Sequence, residues 1–132
     1  MLTGFTVGLG KFVGKPVIHS LQPIYTTATG ETSGTQHGTF DNGQIEVKAK
    51  PGYAVAGLTV KTGLGLDGMS VTFMRWDGQK LDPADSYTSD WIGGKGGGRE
   101  TPIGGDGTPV RGVSGRLNQR GVVAAVGLIM AK

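Results

Sequence analysis

The stretch TVGLGKFVGKP, residues 6–16, has glycines and lysines of the kind that cradle phosphate groups. A phosphate-binding loop needs a glycine five residues before its Gly-Lys pair and a Ser or Thr directly after the lysine. Relative to Gly14-Lys15, those two positions hold Leu9 and Pro16. The glycines are also one residue too widely spaced for a dinucleotide-binding loop. The stretch therefore predicts a turn of the chain and no nucleotide site.

Acids and histidines form no metal-binding or catalytic set along the sequence. The acids of LDPADSYTSD, residues 81–90, lack the alternating acids, central glycine and closing glutamate of a calcium loop. His19 and His37 have no spacing that matches a zinc site, and the chain contains no cysteine. No serine has a His and Asp pair that the sequence places beside it. We therefore expect no metal and no other cofactor.

Glycine supplies 26 of the 132 residues, while hydrophobic residues make up 36% and charged residues 17%. So much glycine without a Gly-X-Y period indicates either disorder or a fold rich in turns and tight strand crossings. The apolar and polar residues alternate at 44–48 and 70–74, which is typical of half-buried strands. No segment keeps the helical period for three turns, so we predict an all-β fold.

Composition also narrows the classes of partner. The formal net charge of +3 is spread thinly along the sequence, without a basic cluster interleaved with aromatic residues. We therefore expect no nucleic-acid partner. No apolar run reaches about 18 residues, so we expect no membrane insertion. The absence of cysteine leaves the cellular compartment open.

An internal repeat organises the chain. Similar strand–turn–strand segments contain Gly4, Gly57 and Gly112, which are 53 and 55 residues apart. Such a period marks a repeat architecture. We predict a single domain over residues 1–132, in which three sheets face inward around a pseudo-threefold axis. The repeat units span about 2–53, 54–108 and 109–132.

Each unit is predicted to open with a hairpin, and GLGKFVG at 8–14 is interpreted as the first hairpin loop. Two more polar strands follow: 31–39 and 44–50 in the first unit, joined near Asp41-Asn42-Gly43, and 86–92 and 99–103 in the second. The third unit ends after its hairpin, so the third sheet is incomplete and leaves an exposed edge. We expect residues upstream of Met1, or a second copy of the chain, to complete it.

Several segments resemble the jacalin-like lectins, which share a fold with the vitelline membrane outer layer protein. GYAVAGLTVKTGLGLDGMSVTF (52–73) resembles their closing hairpin with its Gly-x-x-x-Asp loop, and DWIGGKGGG (90–98) resembles their opening Trp-Gly-Gly-x-Gly-Gly segment. VIHSLQPIYTTATGETSGTQHGTF (17–40) resembles their stretch from a Val-Ile-x-Ser-Leu strand to a Gly-Thr-x-Phe turn. The matches occur in a circularly permuted order, and the chain is also similar to uncharacterised planctomycete-type bacterial domains. The resemblance implies a type I β-prism of three antiparallel sheets.

In the lectins that this chain resembles, sugar binds where the Gly-x-x-x-Asp loop meets the glycine segment. The resemblance implies that the Asp67 carboxylate accepts hydrogen bonds from sugar hydroxyls and that glycines let the backbone approach the ring. Leu64 and Leu66 stand where the lectins usually carry aromatic residues, and the loops of the other two units have no carboxylate. At most one site is therefore expected. Its residues would be Gly63, Leu64, Gly65, Leu66, Asp67, Gly93, Gly94, Gly96 and Gly97.

Each of these features has a structural alternative. Asp67-Gly68 is a common turn pair, and the glycine segment 93–98 is equally explained as a bare link. We expect Trp76 and Trp91 to pack against the sheets. Glycoside cleavage needs two carboxylates across one cleft, and Asp67 is the one candidate, so we expect no enzyme.

The favoured function is a noncatalytic, lectin-like module that binds a mono- or oligosaccharide. The alternative is a structural scaffold that assembles through its sheet edges without a sugar site. A hydrolase accessory domain that positions a neighbour is a third option.

Overall fold

The computed structural model describes residues 1–39, 43–63, 65–96 and 98–131, including every side chain in these ranges except that of Phe12. Within these ranges the chain forms twelve β-strands and no helix, which confirms the all-β prediction. The strands are β1 (Leu2–Phe12), β2 (Lys15–Thr27), β3 (Gly30–Ser33), β4 (His37–Gly38), β5 (Gln44–Lys48), β6 (Tyr53–Thr62), β7 (Leu66–Trp76), β8 (Leu81–Thr88), β9 (Ile92–Gly93), β10 (Thr101–Gly104), β11 (Val110–Leu117) and β12 (Val123–Met130).

The strands form three antiparallel sheets, each built on one long hairpin. The first sheet has the order β3–β2–β1–β5, with the short β4 also paired to β2. The second has the order β10–β6–β7–β8, with β9 also paired to β7. The third consists of β11 and β12 within the described residues. Three sheets with an incomplete third member were predicted, and the structure confirms both features.

The outer strands of the first two units do not lie beside each other. In the second sheet β10 pairs with β6 and β8 with β7, so the central hairpin is flanked on both sides. In the first sheet β5 and β3 flank β1 and β2 in the same way. This arrangement gives both free edges of each central hairpin a backbone hydrogen-bonding partner. The predicted link at Asp41-Asn42 lies outside the described residues.

All three hairpins carry a β-bulge near each end, which is the structural basis of the repeat. Near the open end, the residue before each of Gly4, Gly57 and Gly112 has no paired residue in the other strand of its hairpin. These unpaired residues are Thr3, Ala56 and Arg111. Near the turn, one residue of the second strand has no partner; these residues are His19, Asp67 and Ala124. A bulge bends its strand and redirects a side chain. All three hairpins therefore bend at equivalent positions.

The first hairpin turn is tighter than predicted. Strand β1 continues through Gly8 and Gly10, and the turn consists of Val13 and Gly14 with φ values of 52° and 78°. Positive φ at both central residues is typical of a two-residue type I′ turn. The prediction of a hairpin is confirmed, but the loop extent of 8–14 is wrong. Gly10 pairs with Val17 within the hairpin, and glycine is needed there because a Cβ would collide with the His19 ring.

The inner faces of the three sheets share one hydrophobic core. The first sheet contributes Phe5, the second Phe73, and the third Val110 and Val123, all of them buried. Each such side chain contributes about 1.5–3 kcal/mol by leaving water. The core therefore fixes the three hairpins side by side, with their turns at one end of the prism.

Two of the repeat glycines give room to a flanking strand. A Cβ at Gly4 would collide with the carbonyl oxygen of Val47 in β5, and one at Gly57 would lie 2.8 Å from the Ile103 carbonyl oxygen in β10. At Gly112 the nearest atoms are side-chain atoms at 3.5 Å, and no described strand flanks β11. Glycine thus permits close strand approach at the first two positions.

We predict that Gly4→Ala lowers the free energy of unfolding by about 1–3 kcal/mol, because the new methyl group must push β5 away from β1. Gly96→Ala is the matched control, since a Cβ at Gly96 would meet open space. It should leave stability unchanged or raise it by up to about 1 kcal/mol. Urea unfolding of both variants measures the difference, and equal stabilities would contradict the role of strand approach.

Candidate functional site

An open cleft of about 930 Å³ lies at the end of the prism where the three hairpin turns meet. Its walls come from residues between 11 and 19 of the first hairpin, 63 and 65–67 of the second, 94–96 of the glycine segment and residues between 118 and 123 of the third hairpin. Pockets for small ligands usually have volumes of about 300–1,000 Å³. The cleft is therefore large enough for a ligand of several rings.

Asp67 is the bulged residue of β7 and lines this cleft. The bulge leaves its carbonyl group outside the β6–β7 ladder, where it accepts a hydrogen bond from the Gly94 N–H at 2.8 Å. The side chain is half-buried, and no described group donates a hydrogen bond to its carboxylate. The cleft thus contains a carboxylate whose acceptor capacity the chain does not use.

The glycine segment is anchored to the second sheet and is not a bare link in the part that the structure describes. The Trp91 Nε1–H donates to the Gly94 carbonyl at 2.9 Å, and the Gly98 N–H donates to the Thr62 carbonyl at 3.2 Å. A Cβ at Gly94 would collide with the Pro16 carbonyl oxygen of the first hairpin. The segment therefore forms a fixed wall of the cleft, with Trp91 as its support.

The structure brings together most of the site residues predicted from the sequence. Six of them line the cleft: Gly63, Gly65, Leu66, Asp67, Gly94 and Gly96. Leu66 supports the lining from beneath, because the whole residue is fully buried in the core. Gly93 lies behind the cleft with φ 88°, where a Cβ would be 2.7 Å from the Asp67 carbonyl oxygen. Leu64 and Gly97 lie outside the described residues.

Sequence comparison of the repeats missed which residues are equivalent to Asp67. The repeats, compared as sequences, match the Asp67 loop with residues 15–17 and 120–122, whereas the bulges show that the equivalents of Asp67 are His19 and Ala124. The apolar residues that precede the bulged ones, Ile18, Leu66 and Val123, could have aligned the three hairpins, although they do not reveal the bulges themselves. The expectation that the other two units lack a carboxylate at this position holds.

A second open cleft, of about 1,120 Å³, lies at the opposite end of the prism between residues 76–83 and 106–111. Its aspartates are already bonded within their own turns. Asp77 accepts hydrogen bonds from two backbone N–H groups at 2.8 Å, and Asp82 and Asp106 each accept one at 2.9 Å. Backbone hydrogen bonds lower the pKa of Asp77 and of Asp106. These carboxylates stabilise turns, so we assign the candidate site to the cleft at Asp67.

The described ranges contain neither a candidate metal site nor a helix that could span a membrane. No group of three His, Cys, Asp or Glu side chains is placed to hold a metal ion. None of the described segments is a helix of the length and apolarity needed to cross a membrane.

The three inward-facing antiparallel sheets define a β-prism, the fold of the jacalin-like lectins. Among solved structures, the chain is similar to artocarpin in the crystal structure of its complex with mannotriose, with a TM-score of 0.72 and 14% sequence identity. The similarity covers 99% of this chain and 83% of the artocarpin chain. No protein-family model matches the sequence, and no curated protein matches it significantly.

Unlike Asp67, Asp85 has a carboxylate whose hydrogen bonds are made within the protein. It accepts hydrogen bonds at 2.8 Å from Arg75 Nε and from the Tyr53 hydroxyl. The hydrogen bond from Arg75, followed by the one from Tyr53, lowers the pKa of Asp85. A lowered pKa in the folded state contributes stability above the unfolded-state pKa of about 3.9, and this contribution is lost as the pH falls through the folded-state pKa.

We predict that Asp85→Asn lowers the free energy of unfolding at pH 7, and that its difference from wild type shrinks as the pH falls below about 4. Asp67→Asn is the control and should unfold like wild type at pH 7, because it loses no hydrogen bond within the described chain. Chemical unfolding from pH 3 to pH 7 measures both. A difference for Asp85→Asn that stays constant over this range would contradict the assignment.

Proposed function

We propose that this protein binds carbohydrate without cleaving it, in the cleft at the turn end of the prism. The observation that carries the proposal is the Asp67 carboxylate, which lines this cleft with no hydrogen-bond donor among the described groups. A carboxylate is a strong acceptor, and its two oxygens match a pair of neighbouring sugar hydroxyls. Glycans are the common ligands that present such pairs.

The walls around Asp67 suit a sugar ring. Gly63, Gly65 and Gly96 have no side chain, so a ring can reach the backbone at these positions. A Cβ at Gly96 would meet open space, which means that the wall is not closed there. We propose that Leu64 and Gly97, adjacent in sequence to these glycines, complete the site.

The fold likeness and the acid count favour binding over cleavage. Artocarpin, whose fold this chain shares, was crystallised in complex with mannotriose. Canonical glycoside hydrolases use two carboxylates that flank the scissile bond. Asp67 is the one acid that the described residues contribute to the cleft lining, so the proposed role is recognition.

We predict that Asp67→Asn weakens glycan binding roughly ten- to a hundredfold, because a charge-assisted hydrogen bond contributes about 1.5–3 kcal/mol. Asp90→Asn is the matched control, since Asp90 is exposed and lies outside the cleft lining. Glycan-array screening identifies a ligand, and calorimetry then measures its affinity for each variant. A ligand that binds wild type and Asp67→Asn equally would refute the proposed site.

We further propose that a second copy of the chain pairs with the free edge of β11. At Gly4 and Gly57, glycine makes room for the carbonyl group of a flanking strand, and Gly112 is the equivalent residue of β11. A glycine inside a strand often marks the close approach of another backbone. Pairing β11 with β11 of a second copy would give a four-stranded sheet across a twofold axis. It would also present two glycan sites and raise avidity.

Analytical ultracentrifugation tests this assembly. We predict a concentration-dependent dimer that Gly112→Ala weakens at least about tenfold, because the added methyl group blocks strand approach. Folding of the isolated chain should be retained, since a Cβ at Gly112 meets no atom closer than 3.5 Å. Gly96→Ala, the same substitution in open space, should leave the dimer intact. A wild-type protein that stays monomeric at high micromolar concentration would argue against the assembly.

A further inference from the structure

We infer that the ligand of this cleft is an acidic glycan, one that carries carboxylate or sulfate groups beside its hydroxyls. The inference rests on the proposed sugar site and specifies the class of sugar. It comes from the charged side chains that the fold gathers around Asp67.

Four cationic side chains line the cleft. Lys11 and Lys15 come from the first hairpin, Lys95 from the glycine segment and Arg120 from the third hairpin. All four are exposed, and they belong to three separate parts of the chain. Asp67 is the one acidic residue of the described lining. An incoming ligand therefore meets positive charge on several sides of the cleft.

Outside the described cleft lining, the numbers of cationic and acidic residues are equal. The sequence has 13 Lys and Arg and 10 Asp and Glu, which gives a net charge of +3. The lining has four of these cations and one of these acids, so it also has a net charge of +3. The other residues therefore contribute nine cations and nine acids. The described lining thus has a net charge equal to that of the whole sequence, and a concave surface of one charge sign attracts ligands of the opposite sign strongly.

Within the described residues, the three lysines of the cleft form no ion pair. Elsewhere in the protein, cations lie beside acids: Lys48 is 3.3 Å from Glu31, and Arg75 is 2.8 Å from Asp85. No comparable contact is made by Lys11, Lys15 or Lys95. Their ammonium groups are therefore available to a ligand without breaking an existing pair.

The same cleft does not suit a nucleic acid. No Phe, Tyr or Trp side chain of the described residues lines it, and His19 is the one described ring in the lining, so it lacks a row of aromatic platforms for successive bases. The Asp67 carboxylate would also repel a continuous chain of phosphates. A ligand that binds both Asp67 and the surrounding lysine and arginine side chains needs hydroxyl groups for the carboxylate and anionic groups for the cations. Acidic sugars have this combination.

Calorimetry with two matched pairs of oligosaccharides tests the inference. The first pair is trigalacturonate and its methyl ester, and the second is a sulfated carrageenan tetrasaccharide and its desulfated form. We predict that the acidic member of at least one pair binds about tenfold or more tightly than its neutral member. A preference in the first pair identifies carboxylate as the recognised group, and a preference in the second identifies sulfate.

Two double variants remove the same charge from opposite ends of the prism. Lys15→Gln/Lys95→Gln alters the cleft, whereas Lys80→Gln/Arg111→Gln alters the opposite end. Exposed charge pairs contribute about 0.2–1 kcal/mol each, so the cleft variant should lose roughly two- to thirtyfold in affinity for the acidic sugar. Its affinity for the neutral sugar should fall by a smaller factor than its affinity for the acidic sugar, and the control variant should bind both sugars like wild type.

Other outcomes separate the two proposals. Equal binding of acidic and neutral members, lost in Asp67→Asn, would overturn the acidic preference and leave the sugar site standing. The absence of binding by all four sugars, together with an empty glycan array, would overturn both. Acidic-sugar binding that strengthens in Asp67→Asn, with equal binding of a ten-residue oligothymidylate, would indicate a general polyanion surface and overturn the inference.

Discussion

The bulge that leaves Asp67 unpaired in β7 is the constraint on which the site depends. One extra residue places the carboxylate at the cleft and frees the Asp67 carbonyl to hold Gly94. The first hairpin has an equivalent bulge at His19, and a glycine again lies against the bulged carbonyl group. A Cβ at Gly38 would collide with the His19 carbonyl oxygen. The fold thus offers equivalent bulged positions at one end of the prism, and the sequence places a carboxylate at one of them.

At four positions glycine permits the close approach of two backbone segments. Gly38 and Gly93, both with positive φ, pass beside the bulged carbonyl oxygens of their sheets. Gly4 and Gly57 admit a flanking strand at the other end of the hairpins. Because these contacts recur between repeats, the glycines fix the distances between strands. Hydrogen bonds from Gly94 and Gly98 to the second sheet place the described part of the glycine segment as one wall of the cleft between the three hairpin ends.

The sequence predicted the strands and their threefold repetition, because period-two alternation and the recurring glycines are local features. The bulge at Asp67 was not predictable in this way, since one unpaired residue in a strand leaves the surrounding pattern readable in either register. The turn at Val13 was also missed, because a β-branched residue rarely adopts positive φ. The even spread of charge along the sequence did not reveal the cationic cleft. Lys11, Lys95 and Arg120 come to line one cleft only when the three sheets pack around one core.

A crystal of the protein soaked with trigalacturonate, and another soaked with mannotriose, would test most directly whether Asp67 binds sugar. We predict density in the cleft with two ring hydroxyl oxygens about 2.5–3.0 Å from the Asp67 carboxylate oxygens. Sugar density at the opposite end of the prism, or in the cleft without contact to Asp67, would contradict it. The absence of sugar from the cleft in both crystals at saturating concentration would contradict it equally.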